Sequence, residues 1–141
     1  MSVPLEPSLA LLPNVPLRYL AAVRPAFLSV TLVGCLLGIA SAAASGATID
    51  GMSAGVALLF ALVAHAGVNV LNDYFDAQSG NDALNDERLF PFTGGSRFIQ
   101  NGVLSPRATA VFGYALLGAV IPAGLWLTAN SSPGLIGIGL F

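Results

Sequence analysis

The chain has 141 residues, of which 55% are hydrophobic and only 9% charged, and its mean hydropathy is +0.80. A soluble domain carries about a quarter charged residues; five arginines, no lysine and seven acids are too few to clothe a water-exposed globule of this size, so the composition is that of a membrane protein. The net charge of -2 excludes a polyanion-neutralising surface, and with it nucleic-acid binding, while the single Cys35 excludes an internal disulfide and a CxxC metal site.

In chain order, Pro4, Pro7, Pro13 and Pro16 deny residues 1–16 a continuous helix. Residues 17–24 suit a short amphipathic helix on the membrane surface, with Leu17, Leu20 and Ala21 inward at helical spacing. From Pro25 to Ile49 there are 25 consecutive uncharged residues, from Gly51 to Asn72 another 22, and from Ala108 to Phe141 a further 34. A helix crossing the roughly 30 Å hydrocarbon layer needs about 20 residues. These runs predict spans near 26–46, 51–76 and 108–129. Asn130-Ser131-Ser132-Pro133 then makes a turn, and a fourth helix starts at 133 and stops at 141. The expectation is an all-α, multi-span bundle with three complete spans and the start of a fourth, the amino-terminal portion of a larger protein.

The small residues Ala40–Gly46 after an apolar stretch resemble a signal-peptide cleavage site. The stretch exceeds the usual hydrophobic region of such peptides, however, and the first arginine comes only at position 18. Arg18 and Arg24 precede the first span, and Arg88, Arg97 and Arg107 lie between the second and third. By the positive-inside rule the N-terminus and the 73–107 loop are expected on the cytoplasmic side of the cell's inner, plasma membrane.

Polar residues concentrate at the end of the second span. At about 100° per residue, with His65 at zero, Asn69 falls near 40°, Asn72 near -20°, Asp76 near 20° and Asp73 near 80°, so all share one face. Headgroup contact accounts for Asp73 and Asp76, but Asn69 and His65 lie one and two turns deeper, where polar side chains face a cavity or a partner. Ser79-Gly80-Asn81 is a natural place for the helix to unwind, which lets Asp82 fold back toward Asp73 and Asp76 beside Asn72. Carboxylates that close need a cation, and hard oxygen ligands without histidine or thiolate select Mg²⁺ or Ca²⁺; the spacing lacks the alternate-ligand EF-hand loop of Ca²⁺ sites, and Mg²⁺ commonly bridges acids to substrate phosphates. In the 77–107 loop, Gly94, Gly95, Ser96 and Arg97 combine a glycine turn, a hydroxyl and an arginine fork, suited as a second jaw on a diphosphate. Arg88 sits beside Asp86 and Glu87 in a solvated charge cluster. Tyr74 and Phe75 suit packing or interface anchoring.

Asn69-Val70-Leu71-Asn72-Asp73-Tyr74-Phe75-Asp76, followed by Gly80 and Asp82, resembles the first aspartate-rich motif of the UbiA superfamily of intramembrane prenyltransferases. Arg24-Pro25 and Gly94-Gly95-Ser96-Arg97 are similar as well, so the likeness covers most of residues 18–107. Many members carry an aspartate where this chain has Gly80; glycine there with aspartate two residues later looks like the MenA branch, which prenylates 1,4-dihydroxy-2-naphthoate on the route to menaquinone. The resemblance implies about nine spans and two aspartate-rich motifs facing one cavity. It further implies Mg²⁺ held by Asp73, Asp76 and Asp82 with Asn72, where Asp73 and Asp76 are also the catalytic pair. Gly94, Gly95, Ser96 and Arg97 would grip the diphosphate of a polyprenyl donor, and Asn69 and His65 would line the substrate cavity. The second motif is absent from these 141 residues, so the chain is expected to be inactive without further C-terminal spans.

Two other readings fit the same residues. One is a UbiA-type transferase with another acceptor, such as 4-hydroxybenzoate. The other, from a different class, is a proton or cation transporter subunit whose path runs through His65, Asn69 and Asp76.

Overall fold

A computed structural model describes residues 6–80 and 96–131 of the chain. These residues form four helices, α1 (Val15–Ala22), α2 (Pro25–Ala44), α3 (Gly51–Ser79) and α4 (Pro106–Asn130), and no strand. The class is all-α. α2, α3 and α4 are each long and apolar enough to cross a membrane. The fourth span expected at 133–141 lies outside the described residues.

Helix boundaries follow from backbone chemistry. α1 starts two residues earlier than expected, with Pro16 inside its first turn. The first N–H groups of a helix lack intrahelical acceptors, so proline costs nothing there. α1 closes with Val23 N–H donating to the Tyr19 carbonyl at 3.3 Å and Arg24 N–H to that of Ala21 at 3.0 Å. Arg24 then turns left-handed at φ 55°, and Pro25 opens α2. Proline disfavours the right-handed helical region for the residue before it, which forces the break.

α2 ends at Ala44, two residues short of expectation. Ala47 N–H reaches the Ala42 carbonyl and Gly46 N–H that of Ala43, a Schellman closure in which Gly46 supplies φ 83°. Asp50 caps α3, its side chain accepting from Ser53 N–H at 2.9 Å and Met52 N–H at 3.4 Å. α3 outlasts the uncharged run and stops at Ser79, where Gly80 turns left-handed at φ 75°, at the expected unwinding point. Ser105 caps α4, its hydroxyl taking the Ala108 N–H at 3.2 Å.

The chain divides into two compact units. The first comprises Met1–Pro25 and Ala66–Ala115. Its interior holds Ala22, Val23, Ala66, Val70, Leu71, Phe98, Val103 and Leu104. Residues 97–101 make one turn that closes as Val103 N–H and Leu104 N–H both donate to the Phe98 carbonyl. Tyr19 meets Phe112 edge-on, with ring centres 4.9 Å apart. Gly113 lets α4 approach α3, for a Cβ there would stand 2.7 Å from Leu71 Cγ.

The second unit comprises Ala26–His65 and Leu116–Phe141. No residue of α2 is buried, and Val30 and Leu37 are 72% and 69% exposed. A uniformly apolar helix with an open surface is what lipid solvates, since hydrocarbon offers no penalty for apolar contact. Thr31 and His65 join α2 to α3 within this unit by a hydrogen bond of 2.7 Å between Oγ1 and Nδ1.

Candidate functional site

The polar face of α3 divides into groups with different surroundings. Asp73 is the centre of the first. Its side chain is 2% exposed, and a carboxylate that dry persists only with charge compensation and filled lone pairs. Arg24 Nη2 donates to Oδ1 at 2.5 Å, Ser96 N–H donates to the same oxygen at 3.2 Å, and the Ser96 hydroxyl donates to Oδ2. Three segments distant in sequence thus meet on one carboxylate: the α1–α2 link, α3, and the turn before α4. Charge-assisted bonds of this kind are about twice as strong as neutral ones.

Arg24 and Arg97 share two further properties. They are the non-glycine residues with positive φ among those described, at 55° and 57°. Each also has a buried Nε that meets no acceptor among the described residues. Arg97 directly follows Ser96 in the chain.

Asn72 and Asp76 form the second group. Asn72 Nδ2 donates to Asp76 Oδ2 at 3.0 Å across one helical turn, at the exposed side of α3. That bond uses one carboxylate oxygen and an amide N–H, and the remaining oxygens are hard donors suited to Mg²⁺. Asp73 and Asp76 are therefore placed differently, one spent on internal partners and one near solvent. Among the described residues no three histidine, cysteine or carboxylate groups assemble as a metal-holding cluster. Asp82, Gly94, Gly95 and Arg88 lie outside the described residues.

Asn69 donates its amide to the Val23 carbonyl at 3.0 Å and so supplies the C-cap carbonyl of α1 with a partner. His65 belongs to the second unit, where Thr31 holds its ring. Each of these two side chains thus has a bond that explains its polarity at membrane depth.

Sequence reasoning overlooked Arg24 as a site residue beyond its part in the resemblance. The signal that marks it is an arginine wedged between two apolar helices directly before a proline, with seven acids in the whole chain to pair with. Compared with protein-family models, curated proteins and solved structures, the chain matches none.

Proposed function

We propose that this chain carries part of the catalytic centre of a Mg²⁺-dependent intramembrane polyprenyltransferase of UbiA type, acting on an aromatic acceptor of the 1,4-dihydroxy-2-naphthoate kind. The observation that supports this reading is the bond between Ser96, in the Gly-Gly-Ser-Arg segment, and Asp73, in the aspartate motif. It joins Ser96 to the acidic end of α3, and a site for a metal-bound diphosphate would need the segment and the acids together.

On this reading Asn72, Asp76 and Asp82 would hold Mg²⁺ beside Asp73, and the ion would neutralise the diphosphate so that the allylic C–O bond can ionise. Arg97 and the backbone of Gly94 and Gly95 would orient the phosphate oxygens and take up the leaving group's charge, with Ser96 joining them where its donors leave Asp73. The apolar helices would keep water from the allylic cation until the aromatic ring attacks it; the ring carbon that forms the new C–C bond then loses its carboxyl group as CO₂ and a proton, while the diphosphate leaves as the released anion. Positive-inside counting puts this end of α3 on the cytoplasmic side of the plasma membrane. The residues from Ala108 to Phe141 contain no acid, so they do not supply the second acidic motif of such an enzyme.

The test is prenyl transfer by membranes expressing the complete reading frame, supplied with a labelled polyprenyl diphosphate and 1,4-dihydroxy-2-naphthoate, with and without Mg²⁺. Transfer is expected only with the metal, and Asp76→Asn should lower it by about 10²-fold or more, the scale of losing one charge-stabilising group. Metal-independent transfer, or full activity in Asp76→Asn, sinks the reading.

A further inference from the structure

One acid stands in the whole of the second unit. Ala26–His65 and Leu116–Phe141 contain no arginine or lysine, and Asp50 is their one carboxylate. The N–H groups of Ser53 and Met52 bond it at 2.9 and 3.4 Å, and they help to hold its pKa below the ordinary value, so it is ionised at neutral pH. Its side chain is exposed, and each oxygen keeps a lone pair for a further donor.

Beside Asp50 the same unit opens into a groove of about 790 Å³. Its polar lining residues stand at the ends of helices: Asp50 caps α3, and Asn130 and Ser131 close α4. The apolar lining runs inward from there. Gly38 lies six residues before Ala44, and Ala57 six after Gly51, which is about 9 Å along each helix axis. The groove exists because its lining is small, with Gly38 and Ala42 on α2 and Ala54 and Ala57 on α3; a Cβ at Gly38 would meet nothing within 4 Å. A cleft that is polar at the membrane surface and apolar below it has the profile of a phospholipid.

The polar end also states which headgroup fits. Asn130 spends its Nδ2 on the Trp126 carbonyl at 2.8 Å, which leaves Oδ1 as an acceptor. Together with Asp50 it offers acceptor oxygens and one negative charge, and the unit holds no lysine or arginine to answer that charge. A primary ammonium answers it with charge and three N–H donors. The quaternary ammonium of choline has the charge but no N–H, and an anionic glycerol headgroup is repelled by the carboxylate.

We propose that the groove is a site for one phosphatidylethanolamine molecule, with the ammonium on Asp50 and an acyl chain along Gly38, Ala42, Ala54 and Ala57. The Ser131 hydroxyl supplies a donor for the lipid phosphate. This site shares no residue with the proposed catalytic centre, so it stands whether or not prenyl transfer is found.

The experiment is native mass spectrometry of the full chain in mild detergent with equimolar phosphatidylethanolamine, phosphatidylcholine and phosphatidylglycerol. One phosphatidylethanolamine per chain should be retained about tenfold over each of the others, the scale of one hydrogen bond to a charged group. Asp50→Asn keeps the cap of α3 without the charge, and the preference should disappear. Gly38→Leu fills the groove and should abolish retention of the lipid. Gly34→Leu, one turn earlier on α2 and outside the groove, where a Cβ also meets nothing, should leave retention as in wild type. Equal retention of the three lipids overturns the proposal, as does a preference that survives Asp50→Asn or Gly38→Leu, or one that Gly34→Leu also removes. A lipid-free dimer assigns the groove to a second copy, and a lipid-free monomer to the chain's own residues 132–141; either result overturns it as well.

Discussion

Arg24 and Asp73 lie 49 positions apart in the chain and 2.5 Å apart in the fold, and the acid is nearly dry. The bond fixes the α1–α2 link against α3. Removing one partner strands a buried charge, at a cost of about 3–5 kcal/mol, whereas removing both charges returns most of it. Arg24→Gln should therefore unfold at clearly lower temperature than wild type in detergent, and Arg24→Gln with Asp73→Asn should recover much of the difference. If the double variant is as unstable as the sum of the two single ones, the pair is not the coupling that holds the link.

The Thr31–His65 hydrogen bond makes a separate prediction for the second unit. Bonds between membrane helices contribute about 0.6 kcal/mol on average and up to about 1.7. Thr31→Val should cost about 1 kcal/mol in chemical unfolding, and His65→Leu about as much, with no further loss when the two are combined. Additive losses in that double-mutant cycle show that the two groups act apart.

Much of the architecture was legible because lipid imposes a coarse rule. Long uncharged runs must be helices, and α2, α3 and α4 fall within about three residues of the spans the runs define. The ends shifted where local chemistry decided: Pro16 is tolerated in the first turn of α1, and Gly46 closes α2 two residues beyond its last helical residue. At the site, periodicity placed Asn72, Asp73 and Asp76 on one face but not what each faces. Asp73 lies about 60° from Asp76 on that face, and this offset, at 100° per residue, separates a buried acid from one near solvent. Periodicity describes one helix at a time, so the meeting of Arg24, Asp73 and Ser96, which belong to three segments, left no repeat to read.

Gly113 tests how tightly α3 and α4 pack in the first unit. A Cβ at this position would lie 2.7 Å from Leu71 Cγ, 2.8 Å from Leu71 Cδ2 and 3.3 Å from Val70 Cγ1. Both neighbours are buried, and a branch-point carbon cannot swing away as a chain end does. Overpacking of this kind costs about 1–3 kcal/mol. Gly113→Ala should lower the unfolding temperature, and adding Leu71→Ala should relieve the clash. The same change at Gly118, where a Cβ meets nothing within 4 Å, should be neutral or slightly stabilising through helix propensity.

Asp50 supplies a pH test. The Ser53 hydroxyl, and then the N–H groups of Ser53 and Met52, bond its carboxylate and hold its pKa below the ordinary 3.8. A carboxyl whose pKa is lower in the folded state stabilises the fold in full above its unfolded value. That contribution fades as pH falls through the folded value. Asparagine is a comparably good N-cap but does not titrate, so Asp50→Asn keeps the acceptor and removes the pH dependence. The stability difference between wild type and Asp50→Asn should be constant from neutral pH down to about 5 and then shift against wild type as acid is added, reaching its limit below the folded pKa. Because the other carboxylates titrate alike in both proteins, subtraction isolates this one cap. A difference that stays flat through the acid range means that the Asp50 charge contributes nothing to starting α3.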